Sequence, residues 1–251
     1  MSRVGRVLGL FTTDSPEWGV SQVALELGVA KSSAHALLAT LAEISLVRRL
    51  PDGRYRLGWR LVQLSRTLLD SADFVGPARP GLQRLADGLG AIVHVAGLRD
   101  REIVYLDRIS GLRSPDVVGS RIGMAMPAHC TALGKTLLAS LDDVETEAVL
   151  ARHGLRRYTP RTITGAGALR EEFARIRALG CAGDLEEAVQ RVCCVAAPIR
   201  GPAGDVEAAM SITMTAAAFG GREAMLRATV RSAAAGISRG RRGQPRFAEV
   251  G

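Results

Sequence analysis

Cysteine, lysine, aromatic side chains and long apolar runs are all scarce in this 251-residue chain. The four cysteines, Cys130, Cys181, Cys193 and Cys194, contain no CxxC pair, and the four histidines are scattered at positions 35, 94, 129 and 153. That spacing argues against a zinc site and for reduced, buried thiols; Cys193 and Cys194 would face opposite sides of a strand. No segment approaches the roughly 18 consecutive apolar residues that a membrane-spanning helix needs. The basic start Met1-Ser2-Arg3-Val4-Gly5-Arg6 is followed by no small-residue cleavage site, so the expectation is a cytoplasmic protein without a signal peptide. Gly165-Ala166-Gly167 is followed by no P-loop lysine, which argues against nucleotide binding. No cofactor or metal is called for.

What is present is globular in kind. Apolar residues make up 47% and charged residues 23%, enough for a buried core. At roughly 100–200 residues per domain, the length suits one large domain or two ordinary ones. Net charge is +8, and all but two of the 33 basic residues, Lys31 and Lys135, are arginine. A basic balance favours an anionic partner, and arginine can hold phosphate with two hydrogen bonds.

The first sixty residues predict three short helices and a hairpin. Val4, Val7, Leu8 and Phe11 form one helical face; Val20, Val23, Ala24 and Leu27 form a second, with Ser21 as cap and Gly28 as terminator. A third helix, Lys31 to Glu43, carries Ala34, Leu37, Leu38, Leu41 and Ile44. Pro51-Asp52-Gly53 then turns between two short strands. Six arginines (48, 49, 54, 56, 60 and 66) against one acid, Asp52, make this stretch strongly basic.

Together these outline a winged helix-turn-helix. Lys31, Ser32, Ser33 and His35 open the third helix where base edges would be read, and Arg48, Arg49, Arg54 and Arg56 lie on a hairpin suited to phosphates. A helix from near Trp59 to Phe74 follows, and Gly76-Pro77 and Pro80-Gly81 are expected to break the chain. Beyond them, alternating helical and strand patterns predict an α/β domain. Its strands are Ala91 to Leu98, Glu102 to Ile109, Val192 to Ile199 and Val206 to Thr215. Its helices run over Thr131 to Leu141, Asp142 to Ala151, Ala166 to Leu179 and Arg222 to Ile237.

Residues 31–41 (KSSAHALLATL), the wing 51–58 (PDGRYRLG), 127–139 (PAHCTALGKTLLA) and 180–199 (GCAGDLEEAVQRVCCVAAPI) carry a recognisable pattern. With Gly180-x3-Asp184-x2-Glu187-x6-Cys194-Val195-Ala196, the chain resembles the IclR family of bacterial transcriptional regulators over nearly its whole length. The resemblance implies an α+β protein: a winged helix-turn-helix domain (residues 1–58), a linker helix (59–76), a GAF-like effector-binding domain (77–238) and a basic, disordered tail (239–251). It further implies double-stranded DNA and a small-molecule effector as partners, a homodimer (with a homotetramer left open) on an inverted-repeat operator, and no enzymatic activity. Carried over position by position, the effector contacts fall on Ala132, Leu133, Asp184, Cys194, Ser211 and Thr213. Amides at the start of the Thr131 helix would take a carboxylate, and Ser211 and Thr213, two apart on a strand, would face one side.

The chain departs from the family pattern in three places: Ala36 stands for arginine in the recognition helix, Arg191 for glycine, and the pair Arg200-Gly201 closes the signature. Met124, Met126, Met210 and Met214 are candidates for a soft apolar lining. A hydrolase using Cys130 or Cys194 is the alternative function, and His129-Cys130 the dyad it would invoke; neither cysteine has a recognisable base partner in sequence. Glu171-Glu172 and Glu186-Glu187 read as caps or solvated faces.

Overall fold

In this computed structural model, residues 3–71, 75–99, 102–114 and 127–241 are described. They fall into two compact units divided between Asp70 and Ser71.

In the first unit, helix α1 (Arg3–Leu10) precedes strand β1 (Glu17–Trp18), α2 (Val20–Leu27), α3 (Lys31–Glu43), β2 (Val47–Arg49), β3 (Tyr55–Leu57) and α4 (Arg60–Ser71). The strands form a small antiparallel sheet in the order β1-β3-β2. The cap of α2 is Gly19, whose N–H donates to the Gln22 side chain at 2.8 Å, and Ser21 plays no capping part. Gly28 ends α2 at φ +65°, the left-handed conformation that lets the chain turn tightly into α3. Val7, Val23, Leu27, Ala34, Leu38, Leu41, Val47 and Tyr55 make the core. Of the face on α1, Val7 and the following Phe11 are buried inside this unit and Leu8 is half-buried, while Val4 and, past the end of α3, Ile44 are exposed. β1 was not legible beforehand: two residues carry no periodicity.

The second unit holds α5 (Val75–Leu89), β4 (Ile92–Arg99), β5 (Glu102–Ser110), α6 (Ala132–Leu138), α7 (Asp143–His153), α8 (Ala166–Leu179), β6 (Ala182–Leu185), β7 (Val192–Arg200), β8 (Val206–Thr215), α9 (Ala216–Phe219) and α10 (Glu223–Gly240). Its five-stranded sheet, β5-β4-β8-β7-β6, is antiparallel throughout. α5 and α10 pack on one face through Leu82, Ala86, Leu226, Val230 and Ala234. α6 and α8 cover the other through Leu133, Leu137, Leu169, Phe173 and Ile176. Cys193 belongs to the first layer and Cys194 to the second, as strand alternation requires.

Two expectations fail here. Gly76-Pro77 and Pro80-Gly81 do not break the chain, because α5 runs through both. Pro77 sits in the first turn, where an N–H has no partner to lose, and Pro80 gives up one backbone bond while Leu82 and Ala86 are buried just beyond it. Nor does a disordered tail begin at 239: α10 continues to Gly240, and Arg241 is buried in an ion pair with Glu207. The rest of that tail, with Phe74, Met124 and Met126, lies outside the described residues.

Candidate functional site

The polar face of the first unit is its outer surface. Lys31, Ser32, Ser33 and His35 at the start of α3 are all exposed, as is Ala36. Ala30, the cap of α3, contributes no side-chain hydrogen bond to the first turn. Arg48, Arg49, Arg54 and Arg56 are exposed on the hairpin, where Arg48 pairs in register with Arg56. The four arginines are not equivalent. Arg54 is held by Glu17 at 2.8 Å and Asp52 at 2.6 Å, and Arg56 is held by Glu17. Arg48 and Arg49 form no ion pair among the described residues. Sequence reading missed Glu17 because the β1–β3 pairing that delivers it spans 39 residues.

In the second unit the sheet assembles the other candidates. Thr213, Cys194 and Asp184 lie side by side in register across β8, β7 and β6, and Ser211 lies two residues along β8. All four belong to the face covered by α6, where Ala132 and Leu133 are buried. Ser211, Thr213 and Asp184 are buried, and Cys194 is partly so. The start of α6 is fixed by Thr131, whose hydroxyl donates to the Pro127 carbonyl (3.0 Å) and accepts from the Gly134 N–H (3.1 Å). A Cβ on Gly134 would stand 2.2 Å from the Ala128 carbonyl oxygen, so only glycine lets the 127–131 loop fold against the helix.

Asp184 does structural duty as well. Its Oδ1 accepts from the Glu187 N–H at 2.7 Å and from the Ala188 N–H at 3.4 Å, which shapes the loop after β6. Burial pushes its carboxyl up to about 7, against the lowering effect of those amides. Thr159 and Thr162 hold the same loop by donating to the Glu187 carbonyl at 3.1 and 2.7 Å. Arg191, where the family pattern has glycine, adopts φ +62°, a conformation glycine enters freely; its N–H donates to the Glu186 side chain at 2.8 Å. Arg200 lies at the far end of β7, where its guanidinium donates to the Gly204 carbonyl and its N–H to the Ser238 hydroxyl, so that departure lies at the β7–β8 turn.

Several participants escaped sequence reading. Lys135, fully buried on α6, is paired with Glu187 and, at 3.3 Å, with Glu172. Both acids therefore serve a buried cation, which corrects the expectation of caps or solvated faces for these two. Burial raises Glu187, and Lys135 draws it back down. His94, on β4, is 3% exposed and pairs in register with Ser211. Its Nδ1 is 3.4 Å from the Thr213 hydroxyl, which is itself 3.2 Å from the Cys194 sulfur. Tyr105 packs against the His94 ring at 5.0 Å, brought there by a bulge in the β4–β5 pairing. These residues come from strands far apart in sequence, so no local spacing announces them.

The soft lining reduces as well. Met210 and Met214 sit in the α5–α10 layer, on the opposite face of the sheet. Along β8 the methionines alternate with Ser211 and Thr213, so the two sets cannot share a side.

No thiol is poised for attack. Burial pushes Cys130 up to about 12 and Cys193 up to about 11, and loss of hydration also raises Cys194 well above the ordinary thiol value. His129, instead of turning to Cys130, is 3.0 Å from the Arg156 carbonyl and packs on Tyr158. The described residues contain no cluster of histidine, cysteine and acids suited to a metal, and no helix long and apolar enough to cross a membrane.

Comparison with known proteins converges on one family. Residues 1–51 match the IclR helix-turn-helix domain, and residues 66–239 match the model described as bacterial transcriptional regulator IclR C-terminal. The chain is 33% identical over 241 residues to the HTH-type transcriptional regulator XynR of Escherichia coli, covering 95% of each. It is 32% identical over 204 residues to the glycerol operon regulatory protein of Streptomyces coelicolor, covering 79% of this chain and 78% of that one. Among solved structures, an IclR homolog from Microbacterium hydrocarbonoxydans complexed with 4-hydroxybenzoate superposes with a TM-score of 0.82 at 26% identity, covering 96% and 98% of the two chains. The Thermotoga maritima IclR gives 0.72 at 28% identity, covering 96% and 97%. A helix-turn-helix unit, a sheet-based C-terminal unit and matches over almost the whole length leave no room for the hydrolase alternative: the chain belongs to the IclR family of bacterial transcriptional regulators and is not an enzyme.

Proposed function

We propose that this regulator acts in the cytoplasm as a homodimer on an inverted-repeat operator and senses a small organic acid. The observation that carries the sensing half is the convergence of Asp184, Cys194, Ser211 and Thr213 on one sheet face beneath Ala132 and Leu133. A solved relative of the same family holds 4-hydroxybenzoate, which supports an aromatic or comparably sized acid here. Leu133 is bulky for a two-carbon ligand, so the chain favours the larger acid. In this reading the carboxylate lies between α6 and β8 and is met by the hydroxyls of Ser211 and Thr213.

The DNA half rests on the exposed start of α3 and the basic hairpin. One monomer offers one recognition helix, so a specific site needs two copies, and half-sites about one helical turn apart or a multiple of it. Apolar surface available for pairing lies on and beside α4, where Trp59, Val62 and Leu64 are exposed, whereas Val7 of α1 is buried in its own core. A ligand that prefers one arrangement of the dimer then changes operator affinity by linkage.

Calorimetry of Ser211→Ala and Thr213→Val against a panel of aliphatic and aromatic acids tests the sensing half. Each variant is expected to lose about 1–3 kcal/mol of binding, because a ligand oxygen stays buried and unpaired. Wild-type affinity in both would refute the assignment. Footprinting tests the other half, and full affinity for a single unrepeated half-site would exclude the dimer.

A further inference from the structure

Three polar groups, the partly buried Cys194 on β7 and the buried Thr213 on β8 and His94 on β4, lie in hydrogen-bonding succession. Cys194 keeps its proton, and its S–H can donate to the Thr213 hydroxyl oxygen 3.2 Å away. The Thr213 proton is then available to His94 Nδ1 at 3.4 Å. An Nδ1 that accepts fixes the neutral ring with its hydrogen on Nε2. Burial, with the nearby Arg108 guanidinium as a second cause, holds the imidazole pKa down to about 3, so the ring stays neutral at physiological pH. Nε2 is buried and meets no hydrogen-bond partner among the described residues. A buried N–H without a partner is costly, and in a binding protein it marks where a ligand atom is received.

We propose that His94 is a specificity-determining residue of the ligand site, donating from Nε2 to a carboxylate oxygen of the bound acid beside the hydroxyl of Ser211. His94 and Ser211 are register partners on adjacent strands, so their side chains rise from the same face within reach of one carboxylate. The second donor assigned above to Thr213 thereby passes to Nε2: Thr213 gives its one proton to His94 and acts as a positioning residue. Tyr105 braces the ring from the β5 side. An Nε2–H turned to the ligand selects an acceptor oxygen over an amine at that point, because it can donate but has no lone pair to offer. The inference rests on the acid-sensing reading above and assigns one of its donors to a residue outside the carried-over set.

The experiment uses the full-length protein with 15N-labelled histidine and three probes: benzoate, 4-hydroxybenzoate and hexanoate. Long-range proton–nitrogen spectra are expected to show His94 as the neutral Nε2–H tautomer, and Thr213→Val to mix the tautomers while Thr213→Ser preserves them. His94→Phe is expected to weaken the best probe at least tenfold. His94→Gln, whose amide nitrogen reaches the Nε2 position, should stay within about threefold of wild type. Should the Phe variant not fold, His94→Asn serves: it keeps the bond to Thr213, falls short of Nε2 and should also lose at least tenfold. An Nδ1–H tautomer or an imidazolium overturns the proposal. So does a probe that His94→Phe and His94→Asn bind as wild type while Ser211→Ala loses it, and that outcome leaves the acid-sensing reading standing. If wild type binds none of the three probes, the acid-sensing reading falls and this inference with it.

Discussion

The eight candidate DNA-contact residues of the N-terminal unit are all exposed, whereas the candidate ligand contacts of the C-terminal unit lie on a sheet face under a helix, five of the six buried. The two arrangements obey different physics. Contact with a phosphate backbone needs charge held in solvent, free to exchange counterions for the polymer. Recognition of one small acid needs polar groups removed from water, so that an unmatched ligand leaves them unpaired. Substitutions should therefore act through salt dependence in the first unit and through burial in the second.

The largest expected effect is at Lys135. Replacing it with methionine keeps the stem but strands the Glu187 carboxylate in a buried setting, while Glu172 keeps its pairing with Arg175 at 2.9 Å. Destabilisation of the C-terminal unit by about 3–5 kcal/mol is expected in denaturant unfolding. A loss below 1 kcal/mol would mean that these charges are solvated and that the contrast between the units is wrong.

Asp184 comes next. Its folded-state pKa of about 7 stands above the ordinary 3.8, so between those values the folded protein holds a proton that the unfolded chain releases. Stability from this group therefore falls as pH rises from about 4 to 7. Asp184→Asn keeps an acceptor for the Glu187 amide and removes the charge. It should gain on the order of 1–2 kcal/mol at pH 8 and almost nothing at pH 4, as read from unfolding at the two pH values. An equal effect at both would remove the buried-charge argument.

A smaller effect distinguishes the arginines of the hairpin. Arg48→Ala or Arg49→Ala should each lower the salt slope of DNA binding by roughly one unit. Arg54→Ala should lower it by less, because Glu17 and Asp52 already neutralise that guanidinium. Glu17→Ala should strengthen binding to every sequence alike. If Arg54 and Arg48 prove equal in filter-binding titrations, the Glu17 contact does not persist on DNA.

The smallest effect concerns Arg191, whose φ of +62° suits glycine better than arginine. Arg191→Gly should stabilise the C-terminal unit by about 0.5–1 kcal/mol, measurable as a rise in Tm. A fall would show that the bond from its N–H to Glu186 depends on the arginine side chain.

What the amino-acid order alone determined is local. The stripe Ala34, Leu38 and Leu41 sets which face of α3 is buried, so the opposite face with Lys31 and His35 is necessarily exposed. Strand alternation sets Ser211 and Thr213 on one side of β8 and Met210 and Met214 on the other, a rule that also forbade the methionine lining expected for the site. The motif around Asp184 and Cys194 pointed to the right face because its residues lie on neighbouring strands joined by a short loop. Tertiary structure decided the rest. Glu17 reached Arg54 and Arg56, Lys135 reached Glu172 and Glu187, and His94 reached Thr213 across 119 residues of chain. Those pairings depend on strand order and on α6 packing over the sheet. Side-chain periodicity records which way a residue faces, but the partner it meets there is set by the long-range contacts that bury it.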